Sequence, residues 1–540
     1  MNAKTYLLIF VALALVLSGC ASRAPTQIAA ATRAPAQEGQ AVIITQNVEV
    51  IRELPAATEA PAGLAQPPVA YPTQAPFMPP LPGTVPTPVD NYFQDYGVNP
   101  YTDAFEDHLS TFALDVDTAS YSVARRYVED GNLPPADAVR VEEFVNYFEP
   151  GYPTPEGVAF AIYADGAPSP FHQDGTYFLR FGVQGYQVPE WQRKPATLTF
   201  VIDVSGSMQQ ENRLELVKRS LELLVDRLTV NDTVAIVVYG TEARLVLYPT
   251  PGSERQAILN AIYSLYTEGS TNAEAGLEMG YQLAMQSYRP DTNNRVILCS
   301  DGVANVGETG PDAILAKVRG YVEEGVTLTT VGFGMGNFND ILTEQLADDG
   351  DGHYAYVDDL DEAHKLFVED LTSTLQVIAR DAKVQVDFNP DVVAYYRLLG
   401  YENRAVADQD FRNNSVDAGE LGAGHSATAL YAVQFRPGVE GRIATVQLRW
   451  QNPDTYEVQE INGNLNTWDL AQDFQSAAAH YRLAVLAAEY AEVLRQSPWA
   501  AHISIGQIYS LAAPLPGEIS WDPEVSEFVY LLSRASQMGW

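Results

Sequence analysis

An apolar run in this chain, Thr197–Ile202, is followed by three side chains that carry hard oxygen atoms. They are Asp203, Ser205 and Ser207, which offer one carboxylate and two hydroxyls. A run of this composition is typical of a buried parallel strand, and in open α/β sheets ligands bind where such strands end. The three groups carry too little charge to enclose Ca²⁺ alone, but they suit an octahedral ion that keeps waters or borrows a ligand. The spacing therefore predicts metal-dependent binding.

Two later residues have the chemistry and the position to complete such a site. Thr271 comes just before a helical pattern that begins near Asn272, which places its hydroxyl at a helix N-terminus. Asp301 follows the apolar run Val296–Cys299, which places its carboxylate at a strand end. Because the loops after several strands meet at one edge of this kind of sheet, we expect both residues to reach the first motif. All of these side chains are oxygen donors, as a hard divalent cation requires.

The elements that must position these residues alternate between strand and helix from about Lys194 to Leu375. Strand patterns cover Leu198–Val204, Thr233–Tyr239, Arg244–Leu247, Arg295–Ser300, Thr327–Phe333 and His353–Val357. Helical patterns cover Arg213–Leu228, Glu254–Tyr266, Ala273–Ser287, Pro311–Glu324, Asp340–Ala347 and Leu360–Ala379. The alternation predicts a doubly wound, mostly parallel α/β sheet of the Rossmann type, covered on both faces. Only a short turn separates the second strand from the third, so we expect an antiparallel hairpin at the sheet edge.

At these residues the chain resembles the von Willebrand factor type A (VWA) fold with its metal ion-dependent adhesion site (MIDAS). Asp203-Val-Ser-Gly-Ser207 is similar to the first motif of that family. Gly269-Ser-Thr-Asn272 is similar to its threonine loop, and Ser300-Asp-Gly302 is similar to the segment that carries its aspartate. The resemblance covers about a third of the chain.

The resemblance implies a ligand set for Mg²⁺, or for Mn²⁺ or Ca²⁺ in its place. It implies that Ser205, Ser207 and Thr271 bind the ion directly or nearly so. Asp203 and Asp301 would act directly or through water, and a carboxylate from a partner would fill the open position. The alternative interpretation is that the first motif only caps a helix and that the last aspartate makes a turn.

The flanking segments resemble a narrower group, the bacterial VWA-domain lipoproteins with uncharacterised N- and C-terminal regions. The similar segments are Phe112–Tyr121, Leu133–Glu142 and Arg397–Arg404. This resemblance extends over nearly all of the chain that we expect to be ordered, but it implies little biochemistry.

The N-terminus has the pattern of an export signal. Lys4 precedes the apolar run Tyr6–Leu17, and the run ends in Leu17-Ser-Gly-Cys20. That tetrapeptide resembles the bacterial lipobox, which implies that Cys20 is lipidated; an ordinary signal peptide or short membrane anchor is the alternative. Ala21 is not the Asp that favours inner-membrane retention, so placement in the outer membrane stays open. We predict an extracytoplasmic protein that is lipid-anchored to the bacterial cell membrane or outer membrane.

Composition divides the chain into five parts. Pro, Ala, Thr and Gln dominate from Ala21 to about Asn99, which is typical of an extended, disordered tether. We predict a lipoprotein signal peptide at 1–20, a tether at 21–99, a mixed α+β region at 100–193, the VWA domain at 194–378 and a β-rich region with a long helix at 379–540. If Cys20 is lipidated, no disulfide forms within the chain, and Cys299 is expected to be a small buried apolar residue.

The regions on either side of the VWA segment show strand patterns. Before it lie the strands Ser110–Val116, Val158–Tyr163 and Tyr177–Val183, with helices at Ser120–Glu129 and Asp137–Phe148. After it lie the strands Lys383–Phe388, Val393–Tyr401, Ala427–Phe435 and Arg442–Trp450, followed by an amphipathic helix at Phe474–Leu494. We predict that the strands of both regions join in one β-sandwich with helices, and that the VWA domain is inserted between them.

Acidic residues dominate the charge of the chain. Asp and Glu number 69 against 32 Lys and Arg, which gives a formal net charge of -37. Such a field repels phosphates, so nucleic acid is not expected as a partner. With 540 residues that are 46% hydrophobic, the chain can build two or three domains with real cores.

Other motifs suggest different chemistry, and each has a simpler interpretation. Asp115-Val-Asp117 resembles the nucleophile motif of haloacid dehalogenase-like phosphatases, but no α/β unit supports it, and a strand end with Asp117 or Thr118 capping a helix is simpler. Asp348–His353 resembles a calcium loop, yet the bidentate Glu of an EF-hand is missing, which favours a turn. The seven histidines are scattered without a His-x-x-x-His pair, so a catalytic zinc is unsupported.

We expect a binding module rather than an enzyme, because Ser205 lacks the Gly-x-Ser-x-Gly context and no Walker-type loop is present. The expected role is adhesion, in which the cation holds an acidic group of a protein or glycan partner. A scaffold subunit that docks on an envelope assembly factor or ATPase is the alternative. A phosphatase that uses Asp115 is the least favoured hypothesis.

Overall fold

A computed structural model describes residues 42–43, 45–51, 93–114, 116–302, 311–334, 340–416, 418–519 and 522–538. All of them lie in one compact unit. The predicted signal peptide with Cys20, most of the predicted tether and Asp115 lie outside the described residues.

The strands and helices are numbered separately in chain order. The strands are β1 Val42–Ile43, β2 Thr45–Ile51, β3 Thr102–Asp103, β4 Leu109–Ala113, β5 Phe160–Pro168, β6 Thr176–Gly185, β7 Ala196–Asp203, β8 Thr233–Tyr239, β9 Ala243–Pro251, β10 Asn293–Ser300, β11 Thr327–Phe333, β12 Tyr354–Val357, β13 Val377–Phe388, β14 Val393–Leu399, β15 Gly419–Gly422, β16 Ser426–Phe435, β17 Arg442–Gln451 and β18 Val458–Asn466. The helices are α1 Ala119–Glu129, α2 Val141–Asn146, α3 Arg213–Arg227, α4 Arg255–Tyr263, α5 Ala273–Gln286, α6 Pro311–Glu323, α7 Asp340–Asp348, α8 Leu360–His364, α9 Leu371–Leu375, α10 Ala479–Leu494, α11 Ile505–Ala512, α12 Leu515–Glu518 and α13 Pro523–Gln537.

A six-stranded sheet in the order β12-β11-β10-β7-β8-β9 forms the centre of the VWA segment. The strands from β12 to β8 are parallel, and β9 pairs antiparallel with β8 at the edge. Consecutive residues of β7, Phe200 and Val201, belong to separate cores on opposite faces of the sheet. Burial on both faces explains why this strand is an uninterrupted apolar run. The predicted doubly wound fold and its edge hairpin are confirmed.

Helices cover both faces of this sheet. Side chains of α3, α4 and α8 pack in one core, and those of α5, α6 and α7 pack in the other. The prediction of one helix over Leu360–Ala379 is wrong, because the segment breaks into α8, a π-helical turn and α9. Its last residues belong to β13, where Val377 pairs with Gly422 of β15.

Two further sheets form the predicted sandwich. Their strand orders are β1-β5-β6-β16-β14-β3 and β15-β13-β17-β18-β2, and β4 also pairs with β13. Each sheet therefore combines strands from before and after the VWA segment. Leu179 and Phe181 of the first sheet share a core with Val386 and Val446 of the second, so the inner faces pack together. The insertion of the VWA segment into a sandwich is confirmed.

A helical layer covers the outer face of the first sheet. Helices α1, α2, α10, α11 and α13 share a core with Phe178 and Leu430 of β6 and β16. Helix α10 begins at Ala479 rather than Phe474, and Tyr481, Val485 and Ala488 are all buried, which confirms the structural role expected for that helix. The sequence patterns did not predict α11 or α13.

Two strands lie within the segment predicted to be a tether. β1 pairs antiparallel with β5, and β2 pairs antiparallel with β18. β1 lies in the apolar patch Ala41–Ile44, whose composition allows a short strand, whereas the tether prediction did not anticipate β2. Cys299 is a buried free thiol, as expected. In the part of the chain that the structure describes, no helix has the length and apolar character needed to cross a membrane.

Buried ion pairs join the VWA helices to the flanking regions. Arg125 of α1 binds Asp358, and its Nη2 lies 2.9 Å from Oε2 of Glu362 in α8. Arg140, just before α2, places Nη2 2.7 Å from Oε2 of Glu344 in α7. Removing one partner from such a pair leaves an uncompensated buried charge, so these contacts fix the VWA segment against its surroundings.

Candidate metal centre

The first motif forms the end of β7 and the turn that follows it. Asp203 is the last residue of the strand, and its Oδ1 accepts a hydrogen bond of 2.7 Å from the backbone N–H of Ser205. A 3₁₀ segment, Gly206–Asn212, then leads into α3. Its last two residues, Glu211 and Asn212, have positive φ values of 49° and 57°, which turn the chain sharply before the helix begins.

A chain of hydrogen bonds links the motif to Asp301. Oγ of Ser205 lies 2.9 Å from Oγ of Ser207, which in turn donates to Oδ1 of Asp301 at 3.0 Å. Ser300 donates from Oγ to Oδ2 of Asp203, also at 3.0 Å. Ser205 and Ser207 therefore link the two predicted carboxylates, Ser205 through its backbone N–H to Asp203 and Ser207 through its hydroxyl to Asp301, at the carboxyl ends of the adjacent strands β7 and β10.

The threonine loop lies against the same turn. The backbone N–H of Glu268 donates to the carbonyl of Val204 at 2.6 Å, and that of Gly206 donates to the carbonyl of Gly269 at 3.3 Å. Thr271 follows in this loop, half-buried, and its side chain makes no hydrogen bond to another described residue. Its hydroxyl remains available as a ligand. The structure thus places all of the predicted site residues on three adjoining loops.

Close packing between these loops depends on Gly240, which follows β8. A Cβ atom at this position would lie 2.5 Å from the carbonyl oxygen of Glu268. The carbonyl of Gly240 also accepts a 3.0 Å hydrogen bond from the N–H of Asn272, whose side chain caps α5 through the N–H of Ala275. Sequence patterns gave no indication of this glycine's role, since the contact joins residues far apart in the chain.

An arginine that the sequence patterns did not single out completes the cluster. Nη1 of Arg213, the first residue of α3, donates to Oδ2 of Asp301 at 2.6 Å. Both side chains are buried, with 3% and 5% of their surfaces exposed. The one signal in the sequence is its position, because Arg213 begins the helix directly after the turn that follows β7.

Burial controls the ionisation of the two carboxylates. It raises the pKa of Asp203 to about 6, helped by the nearby negative charge of Asp301 and opposed by the hydrogen bonds from Ser205 and Ser300. Burial also raises the pKa of Asp301, and the Arg213 guanidinium opposes this shift. The positive charge of Arg213 thus balances only one of the two buried carboxylates, so the cluster can accommodate a second positive charge.

The donor set fits a hard divalent ion. Among the described residues, no group of three or more His, Cys, Asp or Glu side chains is placed to hold a metal, so a zinc-type centre has no support there. The cluster instead offers the hydroxyls of Ser205, Ser207 and Thr271, backed by two carboxylates that accept hydrogen bonds. Oxygen ligands of this kind, combined with waters, are what Mg²⁺ prefers.

The other motifs have structural roles where they are described. Asp349 and Asp351 pair with Arg319 and Arg380, so the acidic segment before β12 is a turn held by arginines, as expected. Asp117 does not cap α1: its Oδ1 accepts a 3.0 Å hydrogen bond from the backbone N–H of Tyr354. Thr118 makes no side-chain cap either.

Comparison with known sequences agrees with the fold. The profile of the von Willebrand factor type A domain matches residues 197–369, and a second von Willebrand factor profile matches residues 87–179. The protein is therefore a VWA-domain protein. The profile described as the C-terminal region of the uncharacterized protein YfbK matches residues 373–440 and 438–538. Uncharacterized protein YfbK from Escherichia coli (strain K12) is 35% identical over 472 residues, which cover 82% of this chain and 80% of that protein. The chain belongs to the YfbK family.

More distant relatives share parts of the chain. Uncharacterized protein sll0103 from Synechocystis is 27% identical over 296 residues, which cover 53% of this chain and 68% of that protein. Human inter-alpha-trypsin inhibitor heavy chain H3 is 29% identical over 211 residues, which cover 37% of this chain and 23% of that one. A solved structure, the von Willebrand factor type A protein from Catenulispora acidiphila, is 18% identical with a TM-score of 0.41, and covers 69% of this chain and 89% of that one.

Proposed function

We propose that this protein is a membrane-anchored, extracytoplasmic binding module whose MIDAS-type cation holds an acidic group of a protein or glycan partner. The cation is Mg²⁺, or Mn²⁺ or Ca²⁺ in its place. Ser205, Ser207 and Thr271 are its ligands, and Asp203 and Asp301 orient them or act through water. A lipid on Cys20 provides the anchor.

The observation that carries the proposal is the hydrogen-bonded chain from Ser205 through Ser207 to Asp301. Because the Ser207 proton points to a carboxylate, the lone pairs of its hydroxyl oxygen are left for a cation. One arginine faces two buried acids, so a bound cation would complete the charge balance. An ion held mainly by neutral hydroxyls keeps its attraction for an external carboxylate.

The same contacts support binding rather than catalysis. A serine nucleophile needs a base within hydrogen-bonding distance. Across the described residues, the hydrogen bonds of the Ser205 and Ser207 side chains run to each other and to Asp301, and none involves a histidine or a lysine. Asp301, which accepts from Ser207, is paired with the Arg213 guanidinium, and this pairing weakens it as a base and favours the hydroxyls as ligands.

An exposed rim beside the threonine loop is suited to contact the partner. Nε of Arg244 lies 2.8 Å from Oε1 of Glu268, and its guanidinium lies 5.5 Å from the ring centre of Tyr266. The Tyr266 side chain is 59% exposed. A flat, exposed aromatic ring next to a cation site offers apolar contact to a protein side chain or to a sugar face.

Mn²⁺ binding tests the metal part of this proposal. Mn²⁺ added to the full chain is expected to enhance water-proton relaxation, because the ion keeps bound waters that exchange. The Ser205→Ala/Ser207→Ala double variant is expected to weaken Mn²⁺ binding by at least about tenfold, or about 1.4 kcal/mol. Ser264→Ala is the matched control, since its exposed hydroxyl only bonds to the carbonyl of Ala261. Equal Mn²⁺ affinity in all three proteins would show that the site assignment is wrong.

A second experiment tests the role of the bound ion and the anchor. Capture of partners from native envelope is expected to require Mg²⁺, to be lost with a chelator and to be lost in Thr271→Ala. Cys20→Ser is expected to release the protein from the membrane fraction while leaving Mn²⁺ affinity unchanged. Chelator-insensitive capture would contradict adhesion through the cation.

A further inference from the structure

A second concave site lies away from the metal cluster. It is a cavity of about 850 Å³ formed by the end of α2, the segment before β12, the helical turns from α8 to α9, the loop before β16 and the start of α13. None of the predicted metal ligands lines it, so it is separate from the proposed cation site. Its volume falls within the range of sites that hold small organic ligands.

One wall of the cavity is strongly acidic. Six carboxyl groups line it against a single lysine; they belong to Glu149, Glu362, Glu369, Asp370, Asp522 and Glu524. Four of them already have partners. Glu362 pairs with Arg125, Glu369 with His364 and Glu524 with the lysine, and Asp522 accepts hydrogen bonds from the N-terminal amides of α13. The side chains of Glu149 and Asp370 make no hydrogen bond or ion pair to another described residue.

The lysine shows which chemistry this wall accepts. Nζ of Lys365 lies 2.8 Å from Oε1 of Glu524 and donates to the backbone carbonyl of Tyr147 at 2.8 Å. It also lies 3.8 Å from the centre of the Tyr147 ring. A carboxylate, a carbonyl and an aromatic face together form a favourable environment for an ammonium group.

Asp370 lines the same cavity, but, unlike Glu524, it makes no ion pair with Lys365. It is half-buried, and its surroundings include the negative charges of Glu149, Glu369 and Glu362 as well as the positive charge of Lys365. Acidic groups inside a concave, low-dielectric wall concentrate the negative potential and attract cations. An added ammonium group would find here an unpaired carboxylate that is already partly desolvated.

A second part of the lining, the histidine wall, is neutral and polar. The rings of His353 and His425 meet edge to face with their centres 6.4 Å apart. Burial lowers the pKa of both histidines, and the guanidinium of Arg295 lowers it further, so both rings are uncharged at neutral pH. The buried Oγ1 of Thr374 and Nδ1 of His425 have no hydrogen-bond partner among the described residues. This wall can thus bond to polar groups of a ligand without adding negative charge.

We propose that this cavity is a binding site for an alkylammonium group, with Asp370 and Glu149 as its counterions and the histidine wall as the contact for the rest of the ligand. A bare metal ion is a poorer fit, since the described residues contain no cluster of three acids, histidines or cysteines able to hold one. The alkylammonium group can belong to a free polyamine or to a lysine side chain of a peptide, because both present the same chemistry to the acidic wall.

Calorimetric titration of the full chain with spermidine, and with an end-blocked tripeptide that contains one lysine, tests this site. Spermidine binding alone would identify a free amine as the ligand, and binding of the tripeptide would identify a peptide side chain. Affinity is expected to fall as salt is raised, because the counterions are only partly buried. A tripeptide with glutamate in place of lysine is expected not to bind.

The variants separate this cavity from general acidity and from the metal cluster. The double variant Glu149→Gln/Asp370→Asn is expected to weaken binding by at least about tenfold, because it removes the negative charge that the ammonium group would bond to. Glu440→Gln, an exposed acid elsewhere on the surface, is the matched control and is expected to bind as the unaltered chain does. Ser205→Ala/Ser207→Ala is also expected to retain binding. The proposal is overturned if neither ammonium ligand binds, or if the double variant at the cavity binds them unchanged.

Discussion

The ion pair between Arg213 and Asp301 offers the most direct test of the charge balance in the metal cluster. The two groups are 2.6 Å apart, and 3% and 5% of their side chains are exposed, so water screens the pair very little. Removing one partner from a buried pair costs ~3–5 kcal/mol, because the remaining charge is left uncompensated. We therefore expect Arg213→Met to destabilise the VWA segment by an amount of this order when no divalent cation is present.

Mg²⁺ is expected to recover much of this loss. A bound ion replaces the missing positive charge beside Asp301, so Arg213→Met should bind Mg²⁺ more tightly than the unaltered chain does. Asp301→Asn should lose the cation response, and the Arg213→Met/Asp301→Asn double variant should be less destabilised than the sum of the single variants. These variants form a double-mutant cycle, which separates the energy of the ion pair from that of the packing of Arg213 against Gly334.

Hydrogen exchange measured by mass spectrometry is the suitable assay. The Trp residues of the chain all lie outside 194–378, so tryptophan fluorescence does not report on the VWA segment directly. A loss of ~3–5 kcal/mol predicts about 10²–10⁴-fold faster exchange in peptides from β7 and α3, if their amides exchange through opening of this segment. The reasoning is refuted if Arg213→Met changes hydrogen exchange less than about fivefold in chelator. It is also refuted if adding Asp301→Asn to Arg213→Met does not slow the exchange again.

Three further predictions rest on individual contacts. Gly240→Ala should destabilise the loops around the metal cluster by ~1–3 kcal/mol, because its Cβ would overlap the Glu268 carbonyl, and thermal unfolding in chelator measures this. Tyr481→Phe should cost ~1–3 kcal/mol, since its buried hydroxyl bonds to a backbone N–H and a backbone C=O of the neighbouring sheet; Tyr530→Phe, on an exposed helix face, is the control. Folding should weaken as pH falls from 6.5 toward 4, because the pKa of His425 is about 4 in the folded chain against 6.5 when unfolded. Protonation of His425 is then expected to lower the free energy of unfolding by up to about 3 kcal/mol between pH 6.5 and pH 4.

Each of these has an outcome that contradicts it. Unchanged melting of Gly240→Ala would mean that the two loops are not in close contact. If Tyr481→Phe and Tyr530→Phe melted together, the buried hydroxyl would contribute nothing net. Acid sensitivity between pH 6.5 and 4 should be smaller in His425→Gln, and an identical pH profile would assign that sensitivity to other groups.

The sequence predicted the VWA segment well because its signals are local. Strands buried on both faces are uninterrupted apolar runs, and the helices between them repeat every three to four residues. The predicted site residues stand at the end of β7, directly after β7 and β10 or shortly before α5, so topology alone places them at one sheet edge. Arg213 was missed because its role depends on the turn at Glu211 and Asn212, whose left-handed backbone no pattern revealed.

The flanking regions were harder because tertiary pairing decides their structure. Val377–Ala379 continue a helical pattern, yet pairing with β15 places them in a strand. Thr45–Ile51 lie in a segment dominated by tether-like composition, yet β18 offers them an edge to pair with. In both places long-range hydrogen bonds override local propensity, and such contacts are invisible in a window of a dozen residues.

The interleaved sandwich has a consequence for the order of folding during synthesis. β4 emerges early but pairs with β13, and the contact between His108 and Asp387 closes a loop of 279 residues. Contacts of such long sequence separation form slowly, whereas the strands of the inserted VWA segment meet over shorter separations, such as the 97 residues between Ser300 and Asp203. The insert is therefore able to fold while β4 still lacks β13 and β6 still lacks β16. Its completed fold then brings the ends of β6 and β13 to fixed positions, so the insert acts as the template that closes the sandwich around it.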